Sequence, residues 1–174
     1  MPATSPNDWL VRFPAAEREA ARETYAGMGG VRIVPATQEH VEMMVGRLRQ
    51  GDQAELEAMG ITDREALEQG LNLSIEAWSA VAGDTVGAMF GLTCDSVLSD
   101  EGHPWLLTTC WTVPHWIVFA KCLRQMTERH KTMFPRLSNL VDARYPEALR
   151  LLRWLGYTID PGDVLVRFHW QRAA

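Results

Sequence analysis

Arg49, Asp52 and Glu55 form a charged triplet at steps of three residues. On a helix, side chains three residues apart share one face, so the triplet would form a single cluster there. Such a cluster could serve a functional site. The same spacing also suits local ion pairing and helix capping, because Asp52 and Glu55 match the two polar positions of a capping box. We favour the structural interpretation and keep the functional cluster as the alternative.

Three histidines and one cysteine are the other candidates for chemistry. His103, His115 and His130 could act as a general base, and Cys110 could accept an acyl group. His103 falls in a predicted turn and His115 at a predicted helix start, which would leave both exposed. No histidine is paired with a nucleophile, and a buried cysteine that packs as a small hydrophobe is the commoner case. We therefore assign no catalytic residue.

The cysteine pattern and the N-terminus bear on metal binding and location. Cys94, Cys110 and Cys122 include no close-spaced pair, and no cluster has the spacing of metal ligands. We expect reduced thiols and no metal. No basic start followed by an apolar run marks a secretory signal, and no stretch approaches the roughly 18 apolar residues of a membrane span. These features favour a cytoplasmic protein.

The net charge of −5 at pH 7 argues against a nucleic-acid-binding protein. Residues 1–100 carry an acidic excess and residues 101–174 a basic one, which suits head-to-tail contact between copies or docking to a charged partner. One basic group could contact DNA or the adenosine phosphate of a coenzyme, although a solvated helix face explains it more simply. That group is Arg124, Arg129, Lys131 and Arg136.

The length of 174 residues, with 47% hydrophobic and 22% charged side chains, is that of one globular domain. A polar lead followed by a helix occupies residues 1–30, and residues 31–174 form the domain proper. Trp9 and Phe13 precede that first helix. They could dock the arm on a neighbouring subunit or fold it back on its own domain.

Periodicity and capping signals predict the element order β-α-α-α-β-β-β-α-β-α-β. Thr37 caps the first helix of the domain, and boxes beginning at Asp52 and Thr62 start two short helices, at 53–59 and 63–72. The remaining elements are a strand at 31–34, a hairpin at 76–82 and 85–93, a strand at 105–111, a long helix at 114–134, a strand at 137–141, a helix at 146–155 and a strand at 164–170.

This order, and one motif near the end, resemble the GNAT (N-acetyltransferase) family. Its C-terminal segment N-x-x-A-x-x-x-Y-x-x-x-G-F is matched by Ala148, Gly156 and the aromatic Tyr157. Tyr145 stands at the Asn position, and Leu152 replaces the Tyr that often serves as general acid. The resemblance implies a single GNAT-like α/β domain, with a central mixed, mostly antiparallel twisted sheet flanked by helices.

The coenzyme motif of that family is absent. GNAT enzymes carry R/Q-x-x-G-x-G/A at the start of the long helix, where backbone N–H groups hold the pyrophosphate. Here no glycine lies between Gly102 and Gly156, and Pro114 has no N–H to donate. We therefore expect no cofactor. If the protein is nevertheless an acetyl-CoA-dependent enzyme, the coenzyme contacts fall on Thr109, Trp111, Val113, His115 and Arg124.

Five further segments are similar to a phage protein family that includes internal virion proteins of podovirus-type phages. They are 48–60, with its R-x-x-D-x-x-E-x-x-A pattern, and 87–91, 104–109, 137–142 and 152–156. That resemblance implies a virion or assembly protein that contacts phage structural proteins, located in the virion or the host cytoplasm. We expect a non-catalytic scaffold. The alternatives are an N-acetyltransferase with an atypical coenzyme site and a modifier that binds a host protein.

The shape of one region separates these hypotheses. An enzyme should keep an open V-shaped gap between the strands at 105–113 and 137–141, lined by free amides. A scaffold should have Trp111 or Trp116 filling that gap.

Overall fold

The computed structural model describes residues 30–96, 98–112 and 115–173, and these residues form seven strands and five helices. In chain order they are β1 (Arg32–Pro35), α1 (Gln38–Met44), α2 (Gln50–Met59), α3 (Asp63–Leu73), β2 (Ser74–Ala82), β3 (Thr85–Thr93), β4 (Glu101–Thr108), α4 (Trp116–Met133), β5 (Arg136–Asp142), α5 (Pro146–Trp154), β6 (Thr158–Ile159) and β7 (Leu165–Gln171). The predicted order is confirmed, and the two-residue β6 is the element that the prediction missed.

Two of the predicted helix starts are confirmed. The Thr37 side chain accepts a hydrogen bond from the N–H of His40, which begins α1. The Thr62 and Glu65 side chains each accept from the other's backbone N–H, which begins α3 with a complete capping box. Both caps depend on residues three apart in sequence, so local pattern is enough to place them.

The start of α2 was predicted wrongly. The helix begins at Gln50, three residues earlier than expected, and its N-cap Arg49 makes no side-chain capping bond. Asp52 does not cap the helix at all, because its carboxylate bonds to Thr108 of β4 instead. The structure therefore turns a predicted local cap into a tertiary contact.

The strands form one mixed sheet in the order β1-β2-β3-β4-β5-β7-β6. Every neighbouring pair is antiparallel except β4 and β5, which are parallel and pair only at Glu101 with Arg136 and Gly102 with Leu137. By contrast, β4 pairs with β3 from His103 to Thr108. The sheet is thus continuous on one side of β4 and opens on the other.

Helices cover both faces of the sheet. One buried cluster joins α1, α2 and α3 to the sheet through side chains such as Met44, Leu67 and Met89. The other joins α4 and α5 to the opposite face, where Phe119 packs edge-on against Phe90 with ring centroids 5.9 Å apart. The opening between β4 and β5 therefore lies between two helical layers.

Among the described residues, no helix is long and apolar enough to cross a membrane. The predicted arm at 1–30 lies outside the described residues except for Gly30.

Candidate functional site

The gap between β4 and β5 begins directly after their two paired positions. At the next residues along both strands, side-chain contacts replace the backbone hydrogen bonds between β4 and β5. His103 Nδ1 lies 2.9 Å from the carbonyl oxygen of Ser138, and Asn139 Nδ2 donates to the carbonyl oxygen of Pro104 over 3.1 Å. Beyond this bridge the strands have no direct link among the pairings of the described residues. The gap has the V shape expected of an enzyme, but the amides of Thr108 and Asp142 at its strand ends are not free as that expectation required, because they donate to Asp52 and Glu55.

A cavity of about 390 Å³ occupies the gap. Its lining includes residues of α2 and α3 from one face of the sheet and residues of α4 and α5 from the other. The cavity therefore reaches from one helical layer to the other through the opening in the sheet, as a site that brings two substrates together would require.

Asp52 closes the β4 side of the gap. Its Oδ2 accepts from the backbone N–H of Thr108 at 2.8 Å and from the Thr108 hydroxyl at 2.5 Å. Thr108 is the last residue of β4, so this amide would otherwise face the gap without a partner. Burial raises the pKa of Asp52, and the two bonds from Thr108 counteract part of that rise.

Glu55 occupies the matching position on β5. Its Oε2 accepts from the backbone N–H of Asp142, the last residue of β5, over 2.8 Å. Burial, followed by repulsion from Asp52 and Asp142, raises the pKa of Glu55 to about 7. The carboxyl group can therefore gain or lose a proton near neutral pH. Together the two α2 carboxylates occupy one strand-end amide on each side of the gap.

Gly51 brings α2 close enough for these contacts. A Cβ at this position would lie 2.2 Å from Cζ of Tyr145, so only glycine lets the helix pack against that ring. The guanidinium of Arg49 lies 5.7 Å from the centre of the same ring. Burial, followed by the charge of Asp52, raises the pKa of Tyr145 to about 12, so its hydroxyl stays protonated at neutral pH.

A second, more open cavity lies between α4 and α5 and adjoins the first. The two share Arg49, Glu147 and Leu151 in their linings. Lys121 and Arg150 add positive charge to the second cavity, and Ile117, Ala120 and Trp154 add apolar surface. Arg124 lies over the Trp154 ring at 4.9 Å from its centre. This α4–α5 slot combines cations with an exposed aromatic ring.

Of the predicted coenzyme residues, the three whose side chains the structure describes, Thr109, His115 and Arg124, do not line the cavity at the gap. The N–H and hydroxyl of Thr109 both bond to the carbonyl oxygen of Gly87 on β3, so this residue faces away from the opening. His115 is the N-cap of α4 without a side-chain capping bond, and Arg124 lies at the slot. Val113 and the side chain of Trp111 lie outside the described residues.

The expectation that Trp111 or Trp116 fills the gap concerns two side chains that lie outside the described residues.

Two further expectations were wrong. Cys110 is exposed at a 3₁₀ turn and is not buried as a small hydrophobe. Arg129 does not belong to a solvated helix face, because its Nε donates to the buried Glu76 carboxylate over 3.1 Å.

His130 lies at the α4 side of the first cavity and is fully buried. Its Nε2 is 3.0 Å from Oε1 of Glu76. Burial alone would raise the pKa of Glu76, but the bonds from His130 and Arg129 bring it below its usual value. The three residues form a satisfied buried network, which gives His130 a structural role that sequence spacing did not reveal.

Lys121 and Arg150 are site residues that the sequence analysis missed. They lie on different helices, and only the packing of α4 against α5 brings them to one slot. For Asp52 and Glu55, the spacing identified the pair but not its partners on β4 and β5.

Within the described residues, no group of three or more His, Cys, Asp or Glu side chains has the arrangement of a metal site.

Comparison with known proteins gives a fold but no sequence family. No protein-family model matches the chain, and no curated protein does either. In contrast, 235 chains of solved structures match it. One is the ribosomal-protein-S18-alanine N-acetyltransferase from Escherichia coli, with 11% identity and a TM-score of 0.60 over 83% of this chain and 96% of that one.

Two further matches have similar coverage. A GCN5-related N-acetyltransferase from Kribbella flavida has 15% identity and a TM-score of 0.60, over 82% of this chain and 98% of that one. Spermidine N-acetyltransferase from Vibrio cholerae, solved in complex with CoA and spermine, has 7% identity and a TM-score of 0.58, over 82% and 96%. The chain has the GNAT fold, as its element order predicted. The virion role stays a prediction.

Proposed function

We propose that the protein is a GNAT-type N-acyltransferase that uses a coenzyme A thioester as acyl donor. The observation that supports this most directly is the divergence of β4 and β5 into a cavity that reaches both helical layers. Acyl transfer needs a place where donor and acceptor meet while shielded from water. The acetyltransferases with the same fold favour this function over the scaffold that the missing glycines suggested.

The residues at the α4–α5 slot fit the coenzyme in a way that differs from a glycine-rich loop. Arg49, Lys121 and Arg150 can pair with phosphate oxygens by side chain, and Trp154 offers a flat apolar surface. Since the slot adjoins the gap, a ligand held there can extend a thioester into the first cavity. When bound, the thioester supplies an activated acyl group to a nucleophilic amine.

Glu55 is positioned to take the proton that an amine must lose before it attacks. Its carboxyl group lines the first cavity and has a pKa of about 7, so a large fraction is ionised at neutral pH. A base whose pKa lies near the working pH is the most effective proton acceptor. Asp52 stays bonded to Thr108 and positions α2 at the gap.

A binding protein without catalysis is the second candidate, and one observation favours it. The amides of Thr108 and Asp142 are already occupied by carboxylates of α2, so they are not available to a ligand. On this hypothesis the fold is kept as a scaffold, for instance in a phage particle. Coenzyme binding separates the two candidates.

The test is calorimetric titration of the full chain with acetyl-CoA and free CoA, with a GNAT enzyme as positive control. We expect micromolar binding, weakened about tenfold or more in Lys121→Ala and in Arg150→Ala, because each loses a charge-assisted contact to phosphate. Arg153→Ala is the matched control, since this exposed arginine lies on α5 but lines neither cavity. No binding at millimolar coenzyme would favour the scaffold.

A further inference from the structure

The part of the first cavity between α4, α5 and the sheet is lined by apolar side chains. We call it the acyl pocket and define it by Leu106, Leu123, Met126, Leu152, Leu155 and Phe168. We propose that this pocket holds the acyl chain of the donor, and that the preferred donor carries a medium-length chain rather than an acetyl group. The inference rests on the proposed function and extends it to the donor.

The size of the cavity supports a chain longer than acetyl. An apolar cavity of about 150 Å³ is enough to hold a benzene molecule. The cavity at the gap is about 390 Å³ across both helical layers, and the acyl pocket is the part of it that the six apolar side chains line. An acetyl group has only two carbons and would leave most of these side chains without contact, and unfilled apolar space forfeits packing contacts.

The charge distribution indicates which side of the cavity takes the chain. On the α2 side the lining includes Asp52 and Glu55. A hydrocarbon chain placed there would displace water from these carboxylates, which costs free energy. On the α4–α5 side, Leu123, Leu155 and Phe168 are buried and uncharged, and the carboxylate of that side, Glu147, is half exposed where the cavity adjoins the slot. That side also adjoins the basic slot proposed for the coenzyme. The acyl chain therefore fits the α4–α5 side, and the acceptor fits the α2 side.

A buried tyrosine hydroxyl also lies on the α4–α5 side. Tyr157 also lines the cavity and is 6% exposed, and its ring packs edge-on against Phe168 at 5.1 Å between centroids. Thr127 lies beside its hydroxyl, but no hydrogen bond of acceptable geometry joins the two. A hydrocarbon chain cannot bond to this hydroxyl, so the case for the acyl pocket rests on its apolar lining and not on Tyr157.

The experiment measures the affinity of the full chain for a series of thioesters by calorimetry. The series is CoA, acetyl-CoA, butyryl-CoA, hexanoyl-CoA, octanoyl-CoA and decanoyl-CoA. Each methylene that enters the pocket should tighten binding about fourfold, and the gain should stop where the pocket is full. This readout needs no acceptor.

Two variants change the pocket in opposite directions. Leu152→Ala enlarges it and should move the preferred chain about two carbons longer, whereas Ala148→Leu fills it and should move the preference about two carbons shorter. Leu149→Ala is the matched control, because Leu149 is a partly buried leucine of the same helix that lines neither cavity. Thermal unfolding verifies that each variant is folded.

The outcomes are distinguishable. If CoA, acetyl-CoA and the longer thioesters bind equally, the acyl pocket is wrong while the proposed function stands. If no thioester and no CoA binds, the proposed function fails and this inference fails with it. Affinity that rises with chain length but responds identically to Leu152→Ala, Ala148→Leu and Leu149→Ala would be nonspecific hydrophobic binding, which overturns the pocket.

Discussion

The two ends of the β4–β5 pair differ in what satisfies the strand backbone. At the closed end, Glu101 and Gly102 pair with Arg136 and Leu137 through backbone hydrogen bonds. At the open end, the N–H groups of Thr108 and Asp142 donate to no group of the opposite strand among the described pairings. Carboxylates of α2 accept these two hydrogen bonds instead.

The difference shows how a sheet can contain an opening without leaving buried donors unpaired. A buried N–H without a partner costs free energy comparable to a lost hydrogen bond, so a gap between strands needs substitute acceptors. Here both substitutes come from one helix, at positions three residues apart. The open end therefore depends on α2, whereas the closed end depends on the sheet alone.

Removing the first substitute acceptor should have the largest effect. Asp52→Ala leaves the N–H and hydroxyl of Thr108 without their acceptor, and we expect a loss of about 2–3 kcal/mol in the free energy of unfolding. Asp52→Asn keeps one acceptor oxygen and should lose less. Urea denaturation measures both.

The control for this comparison is Glu57→Ala, an exposed carboxylate on the same helix, for which we expect a change of about 0.5 kcal/mol or less. Equal urea midpoints for Asp52→Ala and Glu57→Ala would mean that the open end does not depend on α2.

The second acceptor should make the stability of the protein depend on pH. Burial raises the pKa of Glu55 from an ordinary value of 4.5 to about 7, so the folded state binds the proton more tightly than the unfolded chain. Stability should therefore fall as pH rises from about 4.5 to about 7, by up to about 3 kcal/mol, and level off above that range.

Glu55→Gln tests this by removing the titration while keeping an oxygen for the N–H of Asp142. The variant should match the wild type near pH 4 and exceed its stability near pH 8. Parallel stability curves for the two proteins across this range would show that Glu55 is not the titrating group.

Much of the fold could be predicted because its signals are local. The capping box of Thr62 and Glu65 and the apolar stripe of α4 involve residues three or four apart. The same local logic failed for Asp52, because its spacing to Glu55 also matches a capping box. Its actual partner, Thr108, lies 56 residues away, and no short pattern encodes that distance.

The site was predicted less well for the same reason. The gap itself followed from the resemblance, but its lining depends on how distant elements pack. Lys121 and Arg150 line one slot only because their two helices pack side by side. Thr109 points toward β3, where its hydroxyl donates to the carbonyl oxygen of Gly87. The glycine motif concerns backbone donors before the long helix, so its absence carries no information on side chains such as Lys121 and Arg150 that line the α4–α5 slot.

The closed end gives the smallest expected effect and completes the comparison. A Cβ at Gly102 would lie 2.9 Å from Cδ2 of Phe134 and 3.0 Å from Cδ1 of Leu92, so both side chains must shift. We expect Gly102→Ala to cost about 1 kcal/mol in urea denaturation, and Phe134→Leu in the same chain to recover part of it. Because Gly102 lies in the paired region, coenzyme affinity should not change. A fall in affinity that accompanies the loss of stability would mean that the two ends are coupled, and the division between a sheet-held closed end and a helix-held open end would have to be abandoned.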